Sequence, residues 1–156
     1  MLLNLLVGLP VMLLCLVMEA IFVTLCLRYY ANHYKRFKDS GRSHKTLALD
    51  ILLLGMVMLL MLLMLLGNFA QMIIWAALFM LIGEFEEVAT AMYYSAVNFA
   101  TLGYGDIVMS ERWRMLGPLE AANGILMFGV STAVMTAAVM DVIKHNIARL
   151  QQSQQP

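Results

Sequence analysis

Charge is scarce in this chain. Asp, Glu, Lys and Arg make up 13% of its 156 residues and hydrophobic residues 62%, with a mean hydropathy of +0.81. Water could not cover that much apolar surface, so a soluble domain is excluded and a membrane protein is expected. Cysteine is scarce too. The two present, Cys15 and Cys26, lie eleven residues apart in one apolar run, a separation of roughly 16 Å on a helix and too far for a disulfide within the chain. They are expected to pack in lipid, and no zinc site is expected. The three histidines, His33, His44 and His145, lie in basic segments without ligand or triad spacing, so nothing indicates an enzyme. The fifteen methionines read as flexible apolar filling rather than a metal-binding box.

What the chain has in abundance is long apolar runs. Three of them, at about 2–27, 46–83 and 115–140, exceed the roughly 20 residues that cross a bilayer. The first lacks a basic leading segment and is followed, not preceded, by positive charge, so it is read as a retained span rather than a signal peptide. The middle run, at about 38 residues and 1.5 Å each, would reach roughly 57 Å, well beyond a 30 Å hydrocarbon core. It is either one tilted helix or a hairpin turning at Gly67-Asn68, which would give four spans. Of ten Lys and Arg, six (Arg28, Lys35, Arg36, Lys38, Arg42 and Lys45) fall in the linker after the first run. With three spans this linker and the tail carrying Lys144 and Arg149 lie on the cytoplasmic side, as the positive-inside tendency requires; with four spans the linker would face outward. Three spans are therefore expected. The division is residues 1–45 (N-terminal helix and basic linker), 46–140 (central apolar region) and 141–156 (short tail).

Between the second and third runs lie 31 residues holding an apolar, aromatic segment too short to span, 87–100, which ends at Thr101-Leu102-Gly103-Tyr104-Gly105-Asp106. Irregular backbone at membrane depth is tolerated only where it is buried in protein or lines a water-filled path. A re-entrant helix followed by a glycine-bearing loop therefore implies a pore or a binding cavity. Glycines at 103 and 105 permit positive φ, so alternate residues can turn successive carbonyls toward one axis.

The run YYSAVNFATLGYGD resembles the pore helix and selectivity filter of tetrameric potassium channels. A fixed Thr, Gly, Tyr, Gly and Asp at these spacings would occur by chance about once in 10⁴ chains of this size. Leu102 stands where Val or Ile is commoner in the family. The resemblance implies an all-α transmembrane fold of three spans plus a re-entrant pore helix and filter loop. It further implies that Thr101, Leu102, Gly103 and Tyr104 offer carbonyl oxygens, with the Thr101 hydroxyl below, in place of the hydration shell of K⁺. Gly105 lets the chain leave the filter. Tyr104 is expected to point away from the pore and pack on the pore helix near Tyr93 or Tyr94. Some simple members pair a pore-helix glutamate with the acid after the filter. Here that position is Val97, so the Tyr94 hydroxyl is the expected donor to Asp106.

The third run contains GILMFGVSTA, which resembles the inner helix of two-helix channels; Gly124 and Gly129 are candidate gating hinges or close-packing points. Two acids fall inside spans. Glu120 is expected to bond pore-helix Asn98. Glu19 is expected to meet Asn68 and Gln71 if the excess of the second helix projects into the cytoplasm, and otherwise Asp50. No helix carries Arg or Lys at every third position, so no voltage sensor is expected. The 16-residue tail is too short for a soluble regulatory domain. One pore loop per chain calls for a homotetramer in a lipid bilayer, with no nucleic-acid partner, no cofactor and K⁺ as the permeant ion. The implied function is passive K⁺ conduction across the cell membrane, in a bacterial setting the inner one. A weakly selective cation channel of the same architecture and a non-conducting membrane accessory protein are the alternatives.

Overall fold

The computed structural model describes residues 1–38 and 46–153. The expectations for Ser40, Arg42, His44 and Lys45 fall outside the described residues, as do those for the side chains of His33, Lys35, Arg36, Lys38, Asp50, His145 and Arg149. Four helices and no strand are present among the described residues: α1 (Leu2–Lys38), α2 (Thr46–Leu81), α3 (Val88–Phe99) and α4 (Leu116–Ser153). Three contain stretches long and apolar enough to cross a membrane, Leu2–Tyr29, Leu54–Leu81 and Leu116–Lys144. α2 runs unbroken through Gly67 and Asn68, which removes the four-span alternative. Both residues are buried. A Cβ on Gly67 would lie 3.1 Å from the Phe22 ring, so the glycine admits a neighbouring helix rather than a turn. α1 continues about ten residues past the expected end of the first span.

The chain forms two compact units. One comprises Val23–Leu65 and Val130–Pro156, with Cys26, Val57, Leu60, Met64, Val134 and Ala138 buried. The other comprises Met1–Phe22 and Leu66–Gly129. Its core gathers Cys15 from α1, Met72, Trp75 and Phe79 from α2, Tyr94 and Phe99 from α3, and Leu116 and Met127 from α4. Cys15 is thus a core residue and does not face lipid. On the outside of the long helices Leu6, Leu13, Leu62, Leu66 and Ile125 are exposed. Water would make this arrangement unstable, whereas lipid solvates such side chains without penalty.

Glycine ends α2 in a defined way. Gly83 has φ +78°; its N–H bonds the Met80 carbonyl and the Glu84 N–H bonds the Phe79 carbonyl, both at 3.0 Å. This is a Schellman closure, and it satisfies carbonyls that the helix end would otherwise leave bare.

Candidate functional site

α3 is 12 residues long, about 18 Å at 1.5 Å per residue, and cannot cross a 30 Å core. Glu87 caps its start in extended backbone, and the Thr90 hydroxyl donates to the Glu87 carboxylate at 2.9 Å. One face of α3 enters the core through Ala91, Tyr94, Ser95, Val97 and Phe99. Tyr94 is held edge-on to Phe79, centroids 5.4 Å apart, and tilted against Phe85 at 5.1 Å.

The loop begins where α3 ends, and α3 closes like α2: the Thr101 N–H bonds the Asn98 carbonyl at 2.8 Å and the Leu102 N–H bonds the Val97 carbonyl at 2.9 Å. The residue at the left-handed position is Thr101, with φ +58°. Glycine normally stands there, and a β-branched residue held at positive φ costs on the order of 1–3 kcal/mol. Gly103 follows at φ +54° and Gly105 at φ +74°. Positive φ therefore recurs at every second residue, 101, 103 and 105, with Leu102 and Tyr104 outside that region. Sequence reading anticipated the two glycines and missed Thr101, whose residue type gives no sign of it.

Every residue from Thr101 to Asp106 is exposed within the chain. Tyr104 is 66% exposed within the chain and lies close enough to Tyr93 for its charge to be felt there, while Phe79 and Phe85 occupy the flank of Tyr94. The Tyr93 hydroxyl donates to Asp106 Oδ2 at 2.6 Å. The donor is thus Tyr93, not Tyr94, because consecutive helical residues point about 100° apart and Tyr94 is turned into the aromatic core. That bond holds the Asp106 carboxyl below the ordinary carboxylate range and pushes the Tyr93 hydroxyl above the ordinary tyrosine range. A cavity of about 130 Å³ lies between α3 and the loop, lined by Tyr93, Tyr94, Val97, Asn98, Gly103 and Asp106 among others, with room for several waters. Beyond the loop, Glu84 accepts both the backbone N–H of Ser110 at 2.8 Å and its hydroxyl at 2.5 Å. This ties the descending chain to the end of α2.

α4 backs the start of the loop. A Cβ at Gly124 would fall 2.0 Å from the Phe99 carbonyl oxygen, so the α4 backbone sits directly against the C-terminal turn of α3. A Cβ at Gly129 would meet nothing within 4 Å. Glu120 is completely buried. Its partner is Ser95, not Asn98, whose amide donates instead to the Tyr94 carbonyl one turn back at 2.8 Å. Glu19 accepts from the Gln71 amide at 3.0 Å, and the Gln71 carbonyl accepts from Asn123 at 3.2 Å. Gln71 is thus one of the partners weighed for Glu19 that the structure brings to it.

Residues 69–141 match a family model described as ion channel. Over these residues, just under half of the chain, the protein is similar to ion channels. The match covers the second part of α2, α3, the loop and α4 as far as Asp141, and with three long apolar helices it points to a multi-pass membrane protein. The matching family is one of channels, not of enzymes. Comparison with curated proteins and with solved structures gives no match.

Proposed function

We propose that four copies of this chain assemble around one axis into a potassium-selective pore, with α3 as a re-entrant pore helix and Thr101–Gly105 as the filter. The observation that carries the reading is the alternation of backbone sign, positive φ at Thr101, Gly103 and Gly105. A chain that alternates handedness residue by residue is neither helix nor strand and cannot bond its carbonyls internally. Aimed at one axis, the carbonyls of Thr101, Leu102, Gly103 and Tyr104 form stacked oxygen rings that replace the hydration shell of K⁺. One loop gives one oxygen per layer, and four-fold closure completes the layer. The exposure of the Tyr104 ring and of Leu102 fits the same assembly, in which neighbouring copies cover surface that one chain leaves open. K⁺ is the permeant ion, no cofactor takes part, and the chain resides in the cell membrane with its basic linker inside.

Gly103→Ala tests the filter, since a Cβ at φ +54° is strained whatever space surrounds it. Reversal potentials under opposed K⁺ and Na⁺ gradients should show K⁺ selectivity in wild type and its loss in the variant, with the protein still inserted. Mixed one to one with wild type, the variant leaves (1/2)⁴, roughly 6%, of randomly assembled tetramers intact, against roughly 25% of dimers. Selective current near half of wild type, at equal expression and with the two proteins co-purifying, would refute the shared pore.

A further inference from the structure

Ser95 carries one hydroxyl proton and has two neighbours to satisfy. Its Oγ lies 2.8 Å from the backbone carbonyl of Met72 on α2 and within hydrogen-bond distance of Glu120 Oε1 on α4. A carbonyl oxygen can only accept, and an ionised carboxylate can only accept. With Glu120 charged, one proton would face two acceptors in a fully buried place, and one contact would be a repulsion between lone pairs. The other carboxylate oxygen, Oε2, is buried without a hydrogen-bond partner, so a charge there would also lack a donor. An unpaired carboxylate in a low-dielectric interior is costly enough that such groups take up a proton instead. The titratable side chains that would feel a charge on Glu120 are Cys15 on α1 and Tyr94 on α3, which in turn feel Glu19 and Glu84, and none of these supplies a positive charge.

We propose that Glu120 is held as a neutral carboxylic acid, donating its proton to Ser95 Oγ while the Ser95 hydroxyl donates to the Met72 carbonyl, so that one directed chain of hydrogen bonds positions the α3 helix against α2 and α4. Every proton then has one acceptor. Glu120 is a positioning residue: it touches no ion, and it acts on the loop through Ser95, which lies six residues before Thr101. This role rests on the pore reading given above, whereas the protonation state does not.

Infrared difference spectroscopy on the purified full-length protein in lipid reads the proton directly. A protonated carboxyl gives a C=O band well separated from carboxylate bands and shifted in heavy water. That band should be present at neutral pH, absent in Glu120→Gln and retained in Glu19→Gln. In Ser95→Ala it should move toward the frequency of a free acid, as removal of its acceptor requires. Glu120→Gln keeps a neutral donor in place and should fold and conduct within about twofold of wild type, whereas Glu120→Leu should lose about tenfold or more of the correctly assembled protein. Absence of the band at neutral pH, or its survival in Glu120→Gln, would overturn the proposal. So would a Glu120→Gln protein that fails to fold while Ser95→Ala folds. A band that behaves as stated in a protein without K⁺ selectivity would leave the proton in place and remove the pore reading alone.

Discussion

Substituting Gly124 by Ala sets two uses of a membrane glycine against each other, a bending point and a place for close packing. The added Cβ would lie 2.0 Å from the Phe99 carbonyl oxygen, 2.8 Å from its carbonyl carbon and 3.1 Å from its Cα. Real contacts of this kind stay above 3.0 Å, so relief needs a separation of at least 3.0 − 2.0 = 1.0 Å. All three atoms are backbone, so no rotamer change provides it: α3 and α4 must move apart. Overpacking of this sort costs about 1–3 kcal/mol, offset by roughly 0.5–1 kcal/mol from replacing glycine inside a helix. The balance of these ranges is a net loss of up to about 2.5 kcal/mol, and each kcal/mol lowers the melting temperature by about 2–4 °C for a chain of this size. Because Phe99 lies two residues before Thr101, the proposed pore should lose selective flux with it. Gly55, exposed and with nothing within 4 Å of an added Cβ, is the control, and Gly55→Ala should be neutral or slightly stabilising. Thermal melting of the purified protein together with K⁺ flux in liposomes reads both quantities. A Gly124→Ala protein that melts like wild type and differs only in open probability would refute the packing argument and restore the hinge.

Two further outcomes are expected. The Tyr93–Asp106 bond involves a carboxyl whose pKa is lowered and a hydroxyl whose pKa is raised. Its stabilisation is therefore present above the ordinary carboxylate pKa and lost as pH falls through the depressed value, and at the other end present below the ordinary tyrosine pKa and lost as pH rises through the raised value. External pH titration of the current should be flat between these limits, and Tyr93→Phe should move the acid limb to higher pH; an unmoved limb would detach Asp106 from the current. A cysteine at Ser40, introduced after removal of Cys15 and Cys26, should be protected from an impermeant thiol reagent outside intact cells, and labelling from outside would place the basic linker on the wrong face.

The spans were legible because composition alone decides them: a run of more than 20 apolar residues has few solutions other than a helix across lipid. The continuity of α2 was legible only through the charges on either side, since Gly67-Asn68 reads locally as a turn and is in fact a buried contact point. The loop was legible because its glycines stand where positive φ is required. Its first left-handed residue was not, because Thr101 adopts that conformation under the constraint of the α3 closure and against its own preference. Side-chain partners were the least accessible. Ser95 and Asn98 lie three apart on α3, neighbours along one side of the helix, so spacing could not decide which meets Glu120. Tyr93 and Tyr94 are the same residue type in adjacent positions. Phe79, near the end of α2, and Phe85, in the turn that follows it, decide which of them is free to reach Asp106.

Hydrogen bonds between the helices explain how apolar surfaces with little preference among themselves reach one arrangement. Lipid tails are as apolar as leucine, so burial does not drive these helices together, and many rotations of one against another would be nearly equivalent. Polar side chains remove that freedom, because each unmet group in the membrane interior costs far more than a misplaced methyl. Asn4 on α1 donates to the Arg112 carbonyl at 2.7 Å. Glu19, Gln71 and Asn123 join α1, α2 and α4, and Met72, Ser95 and Glu120 join α2, α3 and α4. On α4 these contacts fall on one stripe: Gly117, Glu120, Asn123, Gly124 and Met127 are buried, while Ile125, Leu126 and Phe128 are exposed. The stripe fixes the rotation of α4, and with it the approach of Gly124 to Phe99. The position of the loop is thereby set from behind, by polar contacts between helices that touch none of its residues.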